Sequence, residues 1–375
     1  MNKTYFGRQA GKLIQGMLLS VMLAAASLAY AQKGQRYLPD EGSAHEGTWL
    51  QWPHQFTYGL SYRRSLDDTW VAMTRALVYS ERVHIVAYNV QEKTRITNLL
   101  TAASVPLTYV DFLIRRTNDV WVRDNGPLFV FDENHRLMIE DWGFNGWGYD
   151  TPYALDDGVP GVVANQLKMS RADLNDVVLE GGAIEVDGKG VFMATRSSIL
   201  EPDRNPDMSQ AELEATLAAN LGVRKFIWLN GAPGGQDDIT DMHIDGFARF
   251  GPNGSLVTLR NTDLSYWGLS AADIRTLASA SDVNGKPYRF VYLPLTANNV
   301  VTTTGYKVGA KGSYTNYYVA NTVVLVPTYN DPNDTVALGI VQQLYPERAV
   351  IGIDVRNLYR WGGMVHCVTQ QQPRP

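Results

Sequence analysis

Short runs of apolar and β-branched residues recur along most of the chain, and turn residues separate them. Such runs, bounded by Gly, Pro, Asn or Asp, are typical of β-strands. The predicted strands span residues 83–88, 107–112, 128–131, 225–229, 289–293, 322–326 and 349–353.

Helical patterns lie between several of these strands. Ser209 and Glu212 form a capping box at the start of the pattern over 209–221, and Gly222 follows its end. A second helix is predicted over about 333–345. The alternation of strands and helices indicates an α/β fold, and no low-complexity linker divides the chain after Gln32. Periodicity alone does not distinguish an open sheet, a barrel and a propeller.

The N-terminus has the profile of a secretory signal peptide over residues 1–31. It contains three basic residues, no acid, and an apolar run over 17–29 that is too short to span a membrane comfortably. Ala29 and Ala31 provide a small-x-small cleavage site before Gln32. An uncleaved membrane anchor is the alternative. Both predict that the folded part, residues 32–375, is exported to the periplasm or beyond.

Composition places the 375-residue chain among soluble globular proteins, with 45% hydrophobic and 19% charged residues. Without the leader, the 33 basic residues less three leave 30 against 38 acidic residues. This acidic balance favours small cations and disfavours nucleic acid, which needs a basic surface. No second membrane segment is visible, and the sequence does not indicate an oligomeric state.

The chain has one cysteine, Cys367, so it cannot form an internal disulfide. Cys367 is therefore either a buried, inert side chain or a reactive one. It follows the pair Gly362 and Gly363, which permits a close approach of a ligand to the backbone. On an extended strand His366 would project to the opposite face, so His243 is the better candidate for its proton-transfer partner.

His243 and Asp245 would share one face of a short strand, because alternate side chains on a strand point the same way. A histidine beside a carboxylate can act as a general acid and base. The alternative is a polar strand face without chemistry. Asp241 and Asp245 loosely resemble the start of a calcium loop, but Pro252 stands where that loop needs a glutamate.

Neither a metal site nor a cofactor is therefore predicted. The chain contains no Gly-x-Ser-x-Gly motif, which disfavours a serine hydrolase.

Two further clusters carry acids. Trp121 could cover the face of a planar cation while Asp124 accepts its N–H groups. A salt-bridged Arg123 and a core Trp121 are the structural alternative. Glu180 precedes a glycine pair and is a weak signal by itself.

Together these clusters resemble the agmatine deiminase and Porphyromonas-type peptidylarginine deiminase family of guanidino-group-modifying enzymes. The resemblance spans nearly all of the chain after the leader. It rests on eight ordered motifs: Pro39-Asp40-Glu41, His45-Glu46-Gly47-Thr48-Trp49, Trp121-Val122-Arg123-Asp124-Asn125-Gly126-Pro127, Phe144-Asn145-Gly146-Trp147-Gly148, Leu179-Glu180-Gly181-Gly182, Thr240-Asp241-Met242-His243-Ile244-Asp245, Ser313-Tyr314-Thr315-Asn316 and His366-Cys367-Val368-Thr369-Gln370-Gln371-Gln372-Pro373.

The resemblance implies a single-domain pentein fold, a five-fold α/β propeller of ββαβ units. It also implies that Cys367 attacks the guanidinium carbon, while His243 protonates the departing ammonia and then activates water. Asp124 and Asp245 would hold the guanidinium, and Trp121 and Glu180 would be pocket walls or substrate contacts. The implied partner is a small guanidino substrate or a peptidyl-arginine, with no cofactor.

Three positions depart from the pattern expected of agmatine deiminases. Met242 and Tyr149 stand where the family has glycine, and Gly246 stands where it has asparagine. The remaining motifs favour agmatine as the substrate, whereas export favours arginine in peptides. A non-catalytic guanidino-binding protein and a cysteine peptidase are the alternatives from other classes. The first would need no nucleophile, and the second would need no guanidinium-binding acids.

Overall fold

One strand arrangement recurs through the computed structural model, which describes residues 35–232 and 238–375. A strand pairs antiparallel with the next strand, and a helical connection leads to a third strand that is parallel to the second. The predicted leader, residues 1–31, lies outside the described residues.

The first unit contains β1 (His45–Gln51), α1 (Gln55–Leu77), β2 (Arg82–Ala87), α2 (Val90–Ala102) and β3 (Val110–Ile114). The short helix α3 (Val122–Asn125) leads to the second unit, made of β4 (Leu128–Phe131), β5 (Leu137–Gly143), α4 (Gly146–Tyr149), α5 (Ala154–Asp157), α6 (Val159–Leu167) and β6 (Arg171–Val178). The third contains β7 (Ile184–Val186), β8 (Val191–Thr195), α7 (Gln210–Leu221) and β9 (Lys225–Leu229).

The fourth unit contains β10 (Ala248–Gly251), β11 (Ser255–Leu259), α8 (Asn261–Tyr266), α9 (Ala271–Ala278) and β12 (Arg289–Leu293), and a separate hairpin of β13 (Leu295–Val301) and β14 (Lys307–Ser313) follows it. The fifth contains β15 (Tyr318–Val319), β16 (Val323–Thr328), α10 (Asn333–Leu344) and β17 (Ala349–Asp354). The chain closes with α11 (Arg356–Tyr359) and β18 (Gln370–Pro373).

The final strand completes the first unit. β18 pairs antiparallel with β1, which in turn pairs parallel with β2, so the two ends of the described chain share one sheet. The indole Nε1 of Trp49 donates to Oε1 of Gln372 at 3.0 Å across this pair. Five units of ββαβ order result, and the α/β prediction is confirmed.

The third unit shows why these residues form these elements. The Ser209 side chain accepts from the Glu212 amide, the Glu212 carboxylate accepts from the Ser209 amide, and Gly222 ends α7 at φ 69°. Leu213, Leu217 and Leu221 repeat every fourth residue and bury one helix face. Every residue of β8 is buried, as expected for a central strand.

The predicted strands are present, with small shifts of their ends. The largest shift concerns residues 107–112, since β3 begins only at Val110. Leu107 and Tyr109 are exposed in a turn, so their apolar character does not reflect burial in the sheet. In the described part of the chain no helix is both long and apolar enough to cross a membrane.

Candidate active site

The candidate residues lie on segments that immediately precede the first strand of a unit. Asp124 lies on α3 before β4, and Asp245 lies in a 3₁₀ turn (Ile244–Gly246) before β10. Asn316 precedes β15, and Cys367 lies in a 3₁₀ turn (His366–Val368) before β18. Because the five units repeat one topology, equivalent segments of different units meet at one place. α3 contacts both the Cys367 turn and the turn Gly181–Ala183 that precedes β7.

Three of the predicted side chains converge at Gly182. A Cβ atom added there would lie 2.7 Å from Oδ1 of Asp124, 2.7 Å from Nδ1 of His243 and 3.2 Å from Oδ2 of Asp245. The Gly182 amide donates to Oδ1 of Asp124 at 3.0 Å. A glycine is therefore needed here because any side chain would enter the space that the two carboxylates and the imidazole face.

His243 lies in a chain of charged groups. Its Nε2 is 2.7 Å from Oε2 of Glu180, and its Nδ1 is 3.7 Å from Oδ1 of Asp124. The other Glu180 oxygen accepts from Nε of Arg204 at 2.9 Å. Burial opposes the charged imidazole, but Asp124 and Glu180 outweigh it and raise the pKa of His243 to about 9. His243 is therefore doubly protonated, and so positively charged, at neutral pH.

For Asp124, burial outweighs the nearby positive charge in setting the pKa. Its Oδ2 accepts from the indole Nε1 of Trp147 at 3.0 Å. Burial raises the pKa of Asp124 to about 6, against the charge of His243 and with the help of Glu180. Asp124 and Asp245 both face the space at Gly182. This space is therefore suited to a cationic ligand.

Cys367 sits close to Asp245 and Asn316. Its Sγ is 3.4 Å from Oδ1 of Asn316 and 3.9 Å from Oδ2 of Asp245. Burial, followed by the charges of Asp245 and Asp124, raises the pKa of the Cys367 thiol well above its usual range. Burial and the two carboxylates therefore favour the protonated thiol.

Two sequence expectations about local structure are wrong. His243 and Asp245 do not lie on a strand: His243 immediately precedes the 3₁₀ turn Ile244–Gly246. Cys367 is likewise in a 3₁₀ turn. These segments join units, and their conformation is fixed by contacts with other units, such as the one between His243 and Glu180. The predicted convergence of His243 and Asp245 is nevertheless present.

The remaining predicted residues have varied surroundings. Trp121 is buried, its ring meets that of Trp147 edge-on, and it packs against the backbone at Gly363. Arg123 pairs with Glu41 at 3.3 Å, as the structural alternative expected. Both oxygens of Glu180 are engaged within the protein, which favours a role behind His243. Direct contacts of Trp121 and Glu180 with substrate stay predictions.

The structure also gives roles to residues that had none. Trp147 and Asn316 lie in recognised motifs, but their hydrogen bonds to Asp124 and Cys367 arise from folding that the sequence pattern does not encode locally. Trp147 has φ 56° and ψ 52°, a left-handed conformation that turns its indole inward.

Met242 and Tyr149, which stand where the family pattern has glycine, both have a left-handed backbone conformation. Their φ angles are 67° and 71°, in the region that favours glycine. The glycines expected at these positions would adopt this backbone without strain.

Among residues 35–232 and 238–375, no three or more His, Cys, Asp and Glu side chains are grouped so as to hold a metal ion.

Comparisons with known proteins agree with this geometry. The model of the Porphyromonas-type peptidyl-arginine deiminase family matches residues 37–373. The agmatine deiminase of Pseudomonas aeruginosa (strain LESB58) is 31% identical, over 90% of this chain and 95% of that protein. A putative agmatine deiminase from Selenomonas ruminantium is also 31% identical, with the same coverage.

Solved structures give the same result. A putative arginine deiminase from Porphyromonas gingivalis is 32% identical, with a TM-score of 0.78, covering 91% of this chain and 99% of that one. The agmatine deiminase of Enterococcus faecalis is 26% identical, with a TM-score of 0.78, covering 92% and 97%. The match to residues 37–373 extends over all five units and every segment of the site. The chain therefore belongs to the Porphyromonas-type peptidyl-arginine deiminase family.

Proposed function

We propose that the protein hydrolyses the guanidinium group of agmatine to a ureido group, releasing ammonia and forming N-carbamoylputrescine. The observation that carries this proposal is the convergence of Asp124, His243 and Asp245 around Gly182, with Cys367 beside Asp245. Relatives named agmatine deiminase support the choice of substrate.

Substrate binding follows from the two carboxylates. A guanidinium is planar and presents several N–H donors, so two buried carboxylates can accept from it along different edges. Its positive charge offsets the repulsion between Asp124 and Asp245. The same charge stabilises a thiolate at Cys367, so the thiol releases its proton to solvent as the substrate binds.

In the first half-reaction, Sγ of Cys367 attacks the guanidinium carbon and a C–S bond forms. His243 donates its proton to the departing nitrogen, the C–N bond breaks, and ammonia leaves. An S-alkylthiouronium is left on Cys367. The high pKa of His243 keeps it in the acid form that this step needs.

In the second half-reaction, His243 is neutral and removes a proton from water, which attacks the same carbon. The C–S bond breaks, the remaining hydroxyl proton passes to the sulfur so that the Cys367 thiol re-forms, and the carbon retains the new oxygen as a urea. One water is consumed for each ammonia. Glu180 stabilises the imidazolium each time it forms, since it lies 2.7 Å from Nε2.

The test compares agmatine, free arginine, and peptides with internal or C-terminal arginine, using purified residues 32–375. Ammonia and ureido product are measured, with Cys367→Ala as the control. Turnover of agmatine that is lost in Cys367→Ala supports the proposal. Turnover of peptides alone would replace agmatine by peptidyl-arginine, which the family description and the predicted leader make the second candidate. Binding without turnover would favour a non-catalytic receptor.

We also propose that this reaction takes place outside the cytoplasm, from the signal-peptide pattern of residues 1–31. Fractionation of cells that express the full chain, with mass spectrometry of the N-terminal peptide, tests this. A mature protein beginning at Gln32 in the exported fraction is expected. A cytoplasmic protein that retains Met1 would contradict it.

A further inference from the structure

His366 bridges two carboxylates within the protein. Its Nδ1 lies 2.8 Å from Oδ2 of Asp245, and its Nε2 lies 2.7 Å from Oε2 of Glu41. The side chain is 2% exposed. An imidazole can donate from both nitrogens only when it is doubly protonated, so this geometry fits a positively charged ring.

Glu41 is held firmly on the far side of that ring. Arg249 approaches the same oxygen at 2.9 Å, and the Val319 amide donates to the other oxygen at 2.8 Å. Burial opposes ionisation of Glu41, but Arg249 and His366 outweigh it and hold its pKa well below its usual range. Glu41 therefore remains an anion that fixes the ring of His366.

Asp245 is the other end of this chain of contacts. The Asp245 oxygen bonded to His366 is the one that lies 3.9 Å from Sγ of Cys367. Burial opposes ionisation of Asp245, but the hydrogen bond and charge of His366 lower its pKa. His366 thus contacts, and helps to keep ionised, a carboxylate that lies beside Cys367.

The backbone ties the same groups together. Oδ1 of Asn316 accepts from the amide of His366 at 2.9 Å, and Nδ2 of Asn316 donates to the carbonyl of Asp245 at 3.4 Å. The Cys367 turn and the Asp245 turn are therefore joined at both the side chain and the main chain.

We propose that His366 is a positioning residue, a cation that clamps the Asp245 carboxylate toward the substrate and offsets its charge next to Cys367, with Glu41 as its anchor. His366 is not the general base, because carboxylates occupy both of its nitrogens. This inference rests on the proposed function for the role of Asp245 in holding a guanidinium.

Two substitutions separate positioning from simple structural support. His366→Asn places an amide donor near the position of Nδ1 and so retains a contact with Asp245. His366→Gln places its amide near the position of Nε2 and retains the contact with Glu41. We expect kcat/KM for agmatine to fall by about 100-fold in His366→Gln and by clearly less in His366→Asn, because only the former frees Asp245.

A double-mutant comparison tests whether His366 acts through Asp245. If it does, His366→Gln combined with Asp245→Asn is hardly worse than Asp245→Asn alone. Additive losses, or equal losses in His366→Asn and His366→Gln, would overturn the proposal.

The matched control is His84, another buried histidine between two carboxylates. Its Nε2 lies 2.9 Å from Glu46 and its Nδ1 lies 3.7 Å from Asp111, in the sheet of the first unit. We expect His84→Asn to leave kcat/KM unchanged. Thermal unfolding of every variant shows whether each one is folded.

A second measurement does not depend on turnover. Because Cys367 is the only cysteine in the chain, the rate of alkylation by iodoacetamide reports on this thiol alone. Loss of the His366 charge leaves Asp245 uncompensated beside Sγ, which disfavours the thiolate, so alkylation at fixed pH is expected to slow several-fold in His366→Gln and not in His84→Asn.

The two proposals can fail separately. A wild-type protein that hydrolyses no guanidino compound rejects the proposed function, while slowed alkylation in His366→Gln would still support the clamp. A wild-type rate of alkylation in that variant would reject the clamp even in an active enzyme.

Discussion

Nε2 of His243 lies 2.7 Å from Oε2 of Glu180, and this contact leaves Nδ1 facing Asp124 at 3.7 Å. One nitrogen is thus committed to a buried carboxylate, and the other faces the space around Gly182. In the proposed reaction, this orientation leaves Nδ1 to transfer the proton. It also makes the basicity of the ring depend on Glu180.

Replacing Glu180 by glutamine is expected to lower kcat/KM for agmatine by about 100-fold, because a smaller fraction of His243 carries the second proton that ammonia release needs, and the neutral ring is a weaker base toward water. The alkaline limb of the pH profile of kcat/KM, near pH 9 in the wild type, should move to lower pH because Glu180 raises the pKa of His243. The acid limb, near pH 6, should move the same way because Glu180 also raises the pKa of Asp124.

Glu140→Gln is the matched control for that variant. Burial raises the pKa of Glu140 to about 8 despite the nearby Arg36, so this buried side chain is largely neutral at pH 7 and glutamine resembles it. Its pH profile should equal that of the wild type. An unchanged profile in Glu180→Gln would contradict the assigned role of Glu180.

Trp147→Phe is expected to raise KM about 10-fold, because a hydrogen bond to a charged carboxylate is lost. Trp147 helps to hold down the pKa of Asp124, against the larger effect of burial. Its removal raises that pKa, so Asp124 is protonated at higher pH and the acid limb moves upward. The measurement is kcat/KM between pH 5 and 8, as a range chosen around the pKa of about 6.

Trp142→Phe removes a comparable indole N–H, which donates to Glu140 at 3.2 Å. It should leave the acid limb in place. If the acid limb of kcat/KM lies at the same pH in Trp147→Phe and in the wild type, the indole does not affect the pKa of Asp124.

Gly182→Ala is expected to lower kcat/KM for agmatine by at least about 100-fold while leaving the fold intact. Its added Cβ would lie 2.7 Å from both Asp124 and His243, in the space assigned to the reacting group. Misplacement of reacting groups by about 1 Å costs roughly 100-fold in rate. Agmatine binding by calorimetry and thermal unfolding are both measured.

Gly339→Ala is the steric control, since nothing lies within 4 Å of the added Cβ and the residue is on α10. It should keep full activity and gain up to about 1 kcal/mol of stability from helix propensity. Full activity in Gly182→Ala would place the reaction elsewhere.

Tyr149→Gly is expected to raise the free energy of unfolding by about 1 kcal/mol, because the present residue is held at φ 71°. Its side chain is 67% exposed, so little packing is lost. Tyr79 is similarly exposed, at 72%, but its φ is not positive. Tyr79→Gly should therefore lower the free energy of unfolding. Chemical denaturation measures both, and destabilisation in both would show that the left-handed backbone carries no strain.

The sequence predicts the strands and helices well where their conformation depends mainly on residues nearby in the chain. β4, β9 and β12 begin and end where the apolar runs do, and α7 starts at its capping box. These signals are local, because pleating, helical periodicity and capping act over a few residues.

The connecting turns depend instead on distant partners. His366 owes its position to Glu41, which is 325 residues away in sequence, and His243 owes its orientation to Glu180. The prediction that His243 and Cys367 lie on extended strands is therefore wrong, although both residues are recognised as candidates from the sequence. Trp147 was recognised only as part of a motif, since its indole reaches Asp124 through a left-handed turn.

The pairing of β1 with β18 has a consequence for biogenesis. Trp49 and Gln372 are 323 residues apart in sequence, yet they close one sheet, and Cys367 immediately precedes that closure. The proposed nucleophile therefore meets its partners only after the chain from β1 to β18 has been synthesised and these two strands have paired. Contacts of such long range slow folding. A nascent chain that lacks β18 is therefore expected to be inactive.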